Sequence, residues 1–146
     1  MRYWDTSALV PMVVTEAGSE LVDDWLRTDD GVCTWGLTRL ELTSAIERRA
    51  REGFLTMAGR RDALKLVNDI ASAATEVVDL EAVRIRAASV LARHSLRAAD
   101  AAQLGAALVV SSAGLPGLPF VCLDRRLADA ASREGFDVFT WPDEAP

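Results

Sequence analysis

The chain has 146 residues, half of them hydrophobic, with 16 basic against 22 acidic side chains and a formal net charge of −6. That length suits one domain around one core, and the acidic balance argues against a protein that coats nucleic acid by charge alone. The single histidine excludes a histidine-rich zinc site, and no run of about 18 uncharged apolar residues offers a membrane span. The first residues enter a strand pattern rather than a signal-peptide layout, so a cytoplasmic protein without membrane association is expected. Cys33 and Cys122 both sit in apolar strand segments and are expected to be buried free thiols, not a disulfide.

Met1 to Asp5 reads as a buried strand. Ser7 to Val14 is a short apolar turn or helix interrupted at Pro11, and Ser19 to Arg27 is helical by its apolar spacing. After the turn Asp29-Asp30-Gly31, Val32 to Trp35 forms a second strand. Thr38 to Arg51 is a helix closed by Gly53, and a further helix runs from Thr56 to Ala73. Thr75 to Val78 is a third strand, followed by helices over Glu81 to His94 and Ala99 to Ser112. Residues 114–119, Gly-Leu-Pro-Gly-Leu-Pro, are a loop. Phe120 to Leu123 is a fourth strand, Arg125 to Glu134 the last helix with Gly135 as its stop, and Val138 to Phe139 a fifth strand. Short apolar strands alternating with helices predict an α/β sandwich: a mainly parallel central sheet flanked by helices in three layers. The boundaries are a single domain over 1–141 and a frayed tail over 142–146.

Four acids stand beside core segments. Asp5 ends the first strand, Glu41 lies between Leu40 and Leu42, Asp100 opens an alanine-rich helix, and Asp124 follows the fourth strand. A carboxylate beside apolar segments loses hydration at a cost of several kcal/mol, and a cluster of carboxylates repels itself. A hard divalent cation, which prefers carboxylate oxygens, relieves both penalties. In parallel α/β sheets ligands gather outside the carboxyl ends of strands, where Asp5 and Asp124 fall. Each acid taken singly also has a purely structural explanation. Asp5 and Asp124 are good helix caps, Asp100 complements a helix dipole, and Thr38-Arg39-Leu40-Glu41 matches a capping box. Asp129, five residues beyond Asp124, is at most a reserve ligand.

Asp5-Thr6-Ser7-Ala8-Leu9, Leu40-Glu41-Leu42, Arg97-Ala98-Ala99-Asp100-Ala101 and Leu123-Asp124-Arg125-Arg126-Leu127-Ala128 resemble, in order and approximate separation, the four stations of PIN-domain ribonucleases. The resemblance spans essentially the whole chain, and the small domain with nothing attached resembles the toxin of a VapBC toxin–antitoxin pair. It implies a PIN-like sandwich and a Mg²⁺- or Mn²⁺-dependent endoribonuclease. Asp5, Glu41, Asp100 and Asp124 become metal ligands and catalytic residues, with Thr6 or Ser7 in support. It further implies a homodimeric toxin acting on RNA and bound by a VapB-like antitoxin. Two positions depart from the family pattern: Cys122 stands where Thr or Ser is common, and Gln103 where histidine or another residue is common.

In that chemistry the ions activate water and neutralise the phosphate, so no nucleophilic side chain is needed. His94 ends a helix, and Ser7 lacks a histidine partner. Arg125 and Arg126 are candidate substrate contacts, and Arg48, Arg49, Arg51, Arg60 and Arg61 are candidate guides for RNA phosphates. Trp25, Leu26 and Trp35 are candidates for an apolar partner surface. Two other function classes remain. One is a non-catalytic interaction module whose acids receive a partner's arginine. The other is a phosphohydrolase with Asp5 as nucleophile, disfavoured because Ser7 stands where such enzymes carry a second aspartate.

Overall fold

The computed structural model describes residues 1–142, so the expected tail lies, apart from Pro142, outside the described residues. Five strands form one sheet in the order β3-β2-β1-β4-β5, parallel throughout. They are β1 (Arg2–Trp4), β2 (Val32–Trp35), β3 (Thr75–Val77), β4 (Phe120–Val121) and β5 (Val138–Phe139). The helices are α1 (Thr6–Val13), α2 (Ser19–Thr28), α3 (Thr38–Arg51), α4 (Met57–Ala73), α5 (Leu80–Arg93), α6 (Ala98–Ala113) and α7 (Arg125–Arg133). β1 is central, with Tyr3 opposite Cys33 of β2 on one side and Phe120 of β4 on the other.

The two-residue period of the strands builds two cores. Tyr3, Cys33 and Phe120 face one layer with Val83, Val90 and Leu104 of α5 and α6. Trp4 and Val121 face the other with Leu9, Leu42, Ile46 and Val67 of α1, α3 and α4. Strands covered on both faces read as continuous apolar runs, because neither face offers a place for a polar side chain. Each fully buried large side chain contributes about 1.5–3 kcal/mol. Tyr3 and Phe120 also stack, with ring centroids 5.3 Å apart. α5 and α6 approach closely at Gly105, where a Cβ would meet the Ala87 nitrogen at 2.9 Å.

Several expectations shift. β1 and β4 are shorter than their apolar runs, because Asp5, Leu123 and Asp124 already turn toward the following helices. α1 continues through Pro11 rather than breaking there, with Pro11 itself buried. The capping box at Thr38 does not form. The N-cap of α3 is Leu37, and Thr38 is buried, accepting a hydrogen bond from Thr34 at 2.7 Å. The proposed apolar surface is also corrected. Trp35 is buried, and Trp25 and Leu26 pack against the core. The exposed large apolar residues include Leu40, Phe54, Met57, Val78, Leu80 and Ile85. Both cysteines are buried free thiols. No helix among the described residues is long and apolar enough to cross a membrane.

Candidate functional site

Because the strands are parallel, their carboxyl ends share one edge of the sheet. A cleft of about 1120 Å³ lies there, lined by Asp5, Glu41, Asp100 and Asp124 together with Thr6, Ser7, Arg125 and Arg126. The structure therefore brings all eight sequence-derived candidates to one place.

Asp5 is 4% exposed and caps α1. Its Oδ2 accepts from the Ser7 amide at 2.9 Å, from the Ser7 hydroxyl, and from the Cys122 thiol at 3.6 Å. Its Oδ1 makes no hydrogen bond within the described residues. The Ser7 oxygen accepts in turn from the amides of Leu123 at 2.9 Å and Asp124 at 3.1 Å, tying the end of β1 to the end of β4. Asp124 caps α7 through Oδ1, which accepts from the Leu127 amide at 2.9 Å. Glu41 is held at both oxygens: Thr6 donates to Oε2 at 3.0 Å and Gln103 to Oε1 at 3.2 Å. Asp100 lies in the first turn of α6, whose N-cap is Arg97. Capping and clustering are thus one geometry. The amino ends of α1, α3, α6 and α7 meet at the cleft, and each first turn or cap carries one acid. The partial positive charge of those ends offsets part of the repulsion.

The remainder of that repulsion is visible. Burial pushes the Asp5 carboxyl up, and Asp100 adds to this, while the Ser7 bonds oppose it. Burial also raises Glu41, with Asp5 and Asp100 reinforcing the shift against the Thr6 and Gln103 bonds. Asp100 is raised by desolvation and then by Asp124, with Arg97 and Arg126 working the other way. Burial raises the Cys122 thiol as well, so it stays protonated as a donor to Asp5.

Gln103, marked in the sequence only as a departure from the family pattern, is the hub of the site. It is 1% exposed; its Oε1 accepts from the Tyr3 hydroxyl at 2.7 Å. Its amide group is shared among Thr6 at 2.9 Å, Thr38 at 3.0 Å and Glu41. The available signal was an uncharged polar side chain inside an apolar helix, which demands buried partners. Arg97, Glu16 and Trp141 also line the cleft without having been singled out. Arg48 and Arg49 stand on its rim, Arg49 paired with Glu16. Arg60 instead binds Glu47, and Arg51, Arg60 and Arg61 do not line the cleft. Asp129 pairs with Arg133 at 3.1 Å and lines a separate, smaller cleft. His94 belongs to that second cleft, bonded to Glu134 at 2.7 Å.

No three His, Cys, Asp or Glu side chains among the described residues form a ready-made metal cage. The donor set nevertheless fits a hydrated Mg²⁺ or Mn²⁺. The donors are all carboxylate oxygen, Asp5 and Asp124 each leave one oxygen outside their cap bonds, and the neighbouring carboxyls repel one another, a penalty that a cation would relieve. Mg²⁺ keeps several waters and needs only one or two carboxylates plus a phosphate, so a tight cage is not required.

The PIN domain family profile matches residues 2–133. The chain belongs to the PIN-domain family, in its VapC-type ribonuclease branch. It is 38% identical over 137 residues to ribonuclease VapC45 and to ribonuclease VapC49, both of Mycobacterium tuberculosis, covering 93% of this chain and 92% of each relative. Ribonuclease VapC35 of the same organism is 32% identical over 133 residues, 90% of each chain.

Proposed function

We propose that this chain is a divalent-metal-dependent endoribonuclease serving as the toxin of a toxin–antitoxin pair. The carrying observation is the convergence of four carboxylates, from four distant segments, on one cleft rimmed by arginines. Asp5, Glu41, Asp100 and Asp124 hold the cation. When bound, Mg²⁺ or Mn²⁺ supplies the charge that neutralises the phosphate and acidifies the attacking water. The protein's own part is positioning. Ser7 locks Asp5 against the Leu123-Asp124 backbone, and Thr6 and Gln103 fix the Glu41 carboxylate. The guanidinium groups of Arg48, Arg97 and Arg126, which make no hydrogen bond or ion pair among the described residues, are placed to take RNA phosphates, with Arg125 beside them. The relatives' names support the ribonuclease assignment and, through it, a VapB-like antitoxin partner; the homodimer rests on the family resemblance alone.

The test is cleavage of RNA by rigorously purified protein in Mg²⁺ or Mn²⁺, with and without EDTA, beside Asp5→Asn and Asp100→Asn. Metal-dependent cutting should appear in wild type and fall at least a hundredfold in each folded variant. Expression of wild type alone should arrest growth. Full activity in Asp5→Asn refutes the mechanism, and EDTA-insensitive absence of cutting favours an interaction module whose acids receive a partner's arginine.

A further inference from the structure

Trp141 lies beyond the stretch matched by the family profile, which ends at residue 133, yet it forms part of the wall of the acidic cleft. Two contacts fix its ring. The indole N–H donates to the Leu123 carbonyl at 2.9 Å, tying the ring to the segment that delivers Asp124. The far edge of the indole runs against Gly18, where a Cβ would come within 2.9 Å of Trp141 Cη2 and 3.0 Å of Leu123 Cδ1. Gly18 also holds φ at 96°, a conformation side chains disfavour, so that position is free of a side chain where the indole passes. Trp141 as a whole is half-buried and lines the cleft. The other tryptophans are placed differently: Trp4 and Trp35 are buried in the two cores, and Trp25 packs edge-on against Phe139.

Trp141 is the only aromatic residue lining the cleft among the described residues; the rest are acids, arginines and small or aliphatic side chains. The arginines carry the charge that addresses phosphates. A nucleotide laid along the cleft therefore has phosphate partners at the rim and one flat, pre-positioned π surface. We propose that Trp141 is a base-stacking platform that receives the nucleobase adjoining the phosphate held over the acids. This rests on the ribonuclease reading and adds to it the residue that orients the substrate's base. A ring anchored at two edges loses little freedom when a base stacks, and stacking tolerates any base because every base has a π face.

The experiment is a binding titration in EDTA, following tryptophan fluorescence. The probes are a mixed-sequence single-stranded RNA of about ten nucleotides and an abasic ribose–phosphate strand of the same length. The base-bearing strand should quench wild-type fluorescence, and the abasic strand should not. Trp141→Ala should lose that quench and bind the base-bearing strand about tenfold more weakly, within the usual range for a lost stacking contact, while binding the abasic strand as wild type does. Trp141→Phe, which keeps a ring but loses the N–H, should recover most of the affinity. Equal affinity of wild type and Trp141→Ala for a strand that wild type cuts in Mn²⁺ overturns this proposal alone. Equal loss on both strands overturns it too, since the ring would then act only through the fold. Failure of wild type to bind or cut any RNA removes the ribonuclease reading, and this proposal with it.

Discussion

Replacing Gln103 with leucine separates the fold of the acid floor from its chemistry. The Tyr3 hydroxyl is fully buried and its acceptor is Gln103 Oε1, so Gln103→Leu strands it at about 1–3 kcal/mol. Thr38 keeps Thr34, but Glu41 loses one of its two donors, a bond to a charged group worth about 1.5–3 kcal/mol. The single variant should therefore lose about 3–5 kcal/mol, a large share of the roughly 5–15 kcal/mol of a typical domain. Tyr3→Phe strands the Gln103 oxygen instead, and the double variant leaves neither group unpaired. Urea denaturation in EDTA should show the double variant more stable than the sum of the singles by about 1–2 kcal/mol. Mn²⁺ affinity should not follow that recovery, because Tyr3→Phe does not restore the donor to Glu41. Binding should stay about 10–100-fold weaker in both variants that carry Gln103→Leu. Additivity within about 0.5 kcal/mol, or full recovery of Mn²⁺ affinity in the double variant, would refute this reasoning.

The folded carboxyls of Asp5, Glu41 and Asp100 are raised, so these three groups bind more protons in the metal-free folded protein than in the unfolded chain. Their stabilisation is complete below the ordinary carboxylate value near ~4 and is lost as pH rises through the raised folded values. Asp29, Glu47 and Glu134 are lowered and act in the opposite sense, losing stability as pH falls. The informative quantity is therefore the difference between wild type and Asp100→Asn: in urea titrations above pH ~4 the variant should gain on wild type, and a variant that loses ground would contradict the clustering. Mn²⁺ at a hundredfold excess over its dissociation constant should add about 2.7 kcal/mol to wild type, or about 5–10 °C in melting temperature, and less to Asp100→Asn. An unchanged wild-type melting curve at millimolar Mn²⁺ would leave these acids as helix caps only.

The alternation of strand and helix was legible because parallel strands buried on both faces leave continuous apolar runs, such as Phe120 to Leu123. Strand ends were less so. Asp5 and Asp124 mark where the chain leaves the sheet, but the apolar run continues through Leu123, which has already turned away. The four acids were visible by their apolar flanks. Whether each capped a helix or joined a cluster was not, since both need an acid at the same position and only the fold shows that the two coincide. The capping box at Thr38 failed because a buried acceptor network outweighed a local bond. Gln103 and Trp141 gave no motif: their roles depend on partners 100 residues away for Gln103 and 18 for Trp141.

The two caps divide the labour between carboxylate oxygens. On Asp5 all three protein donors converge on Oδ2, and on Asp124 the cap uses Oδ1. An asparagine at either position has only one oxygen to give. If that oxygen keeps the backbone cap, the amide hydrogens must turn toward the cleft. Such a substitution leaves the helix start intact while reversing the polarity of the face it shows to the cleft, from lone pairs to N–H donors. A charge-neutral replacement therefore does more than dilute the negative floor. It plants a small repulsive dipole where a cation would sit and an attractive one where a phosphate oxygen would, favouring a bound but uncut strand.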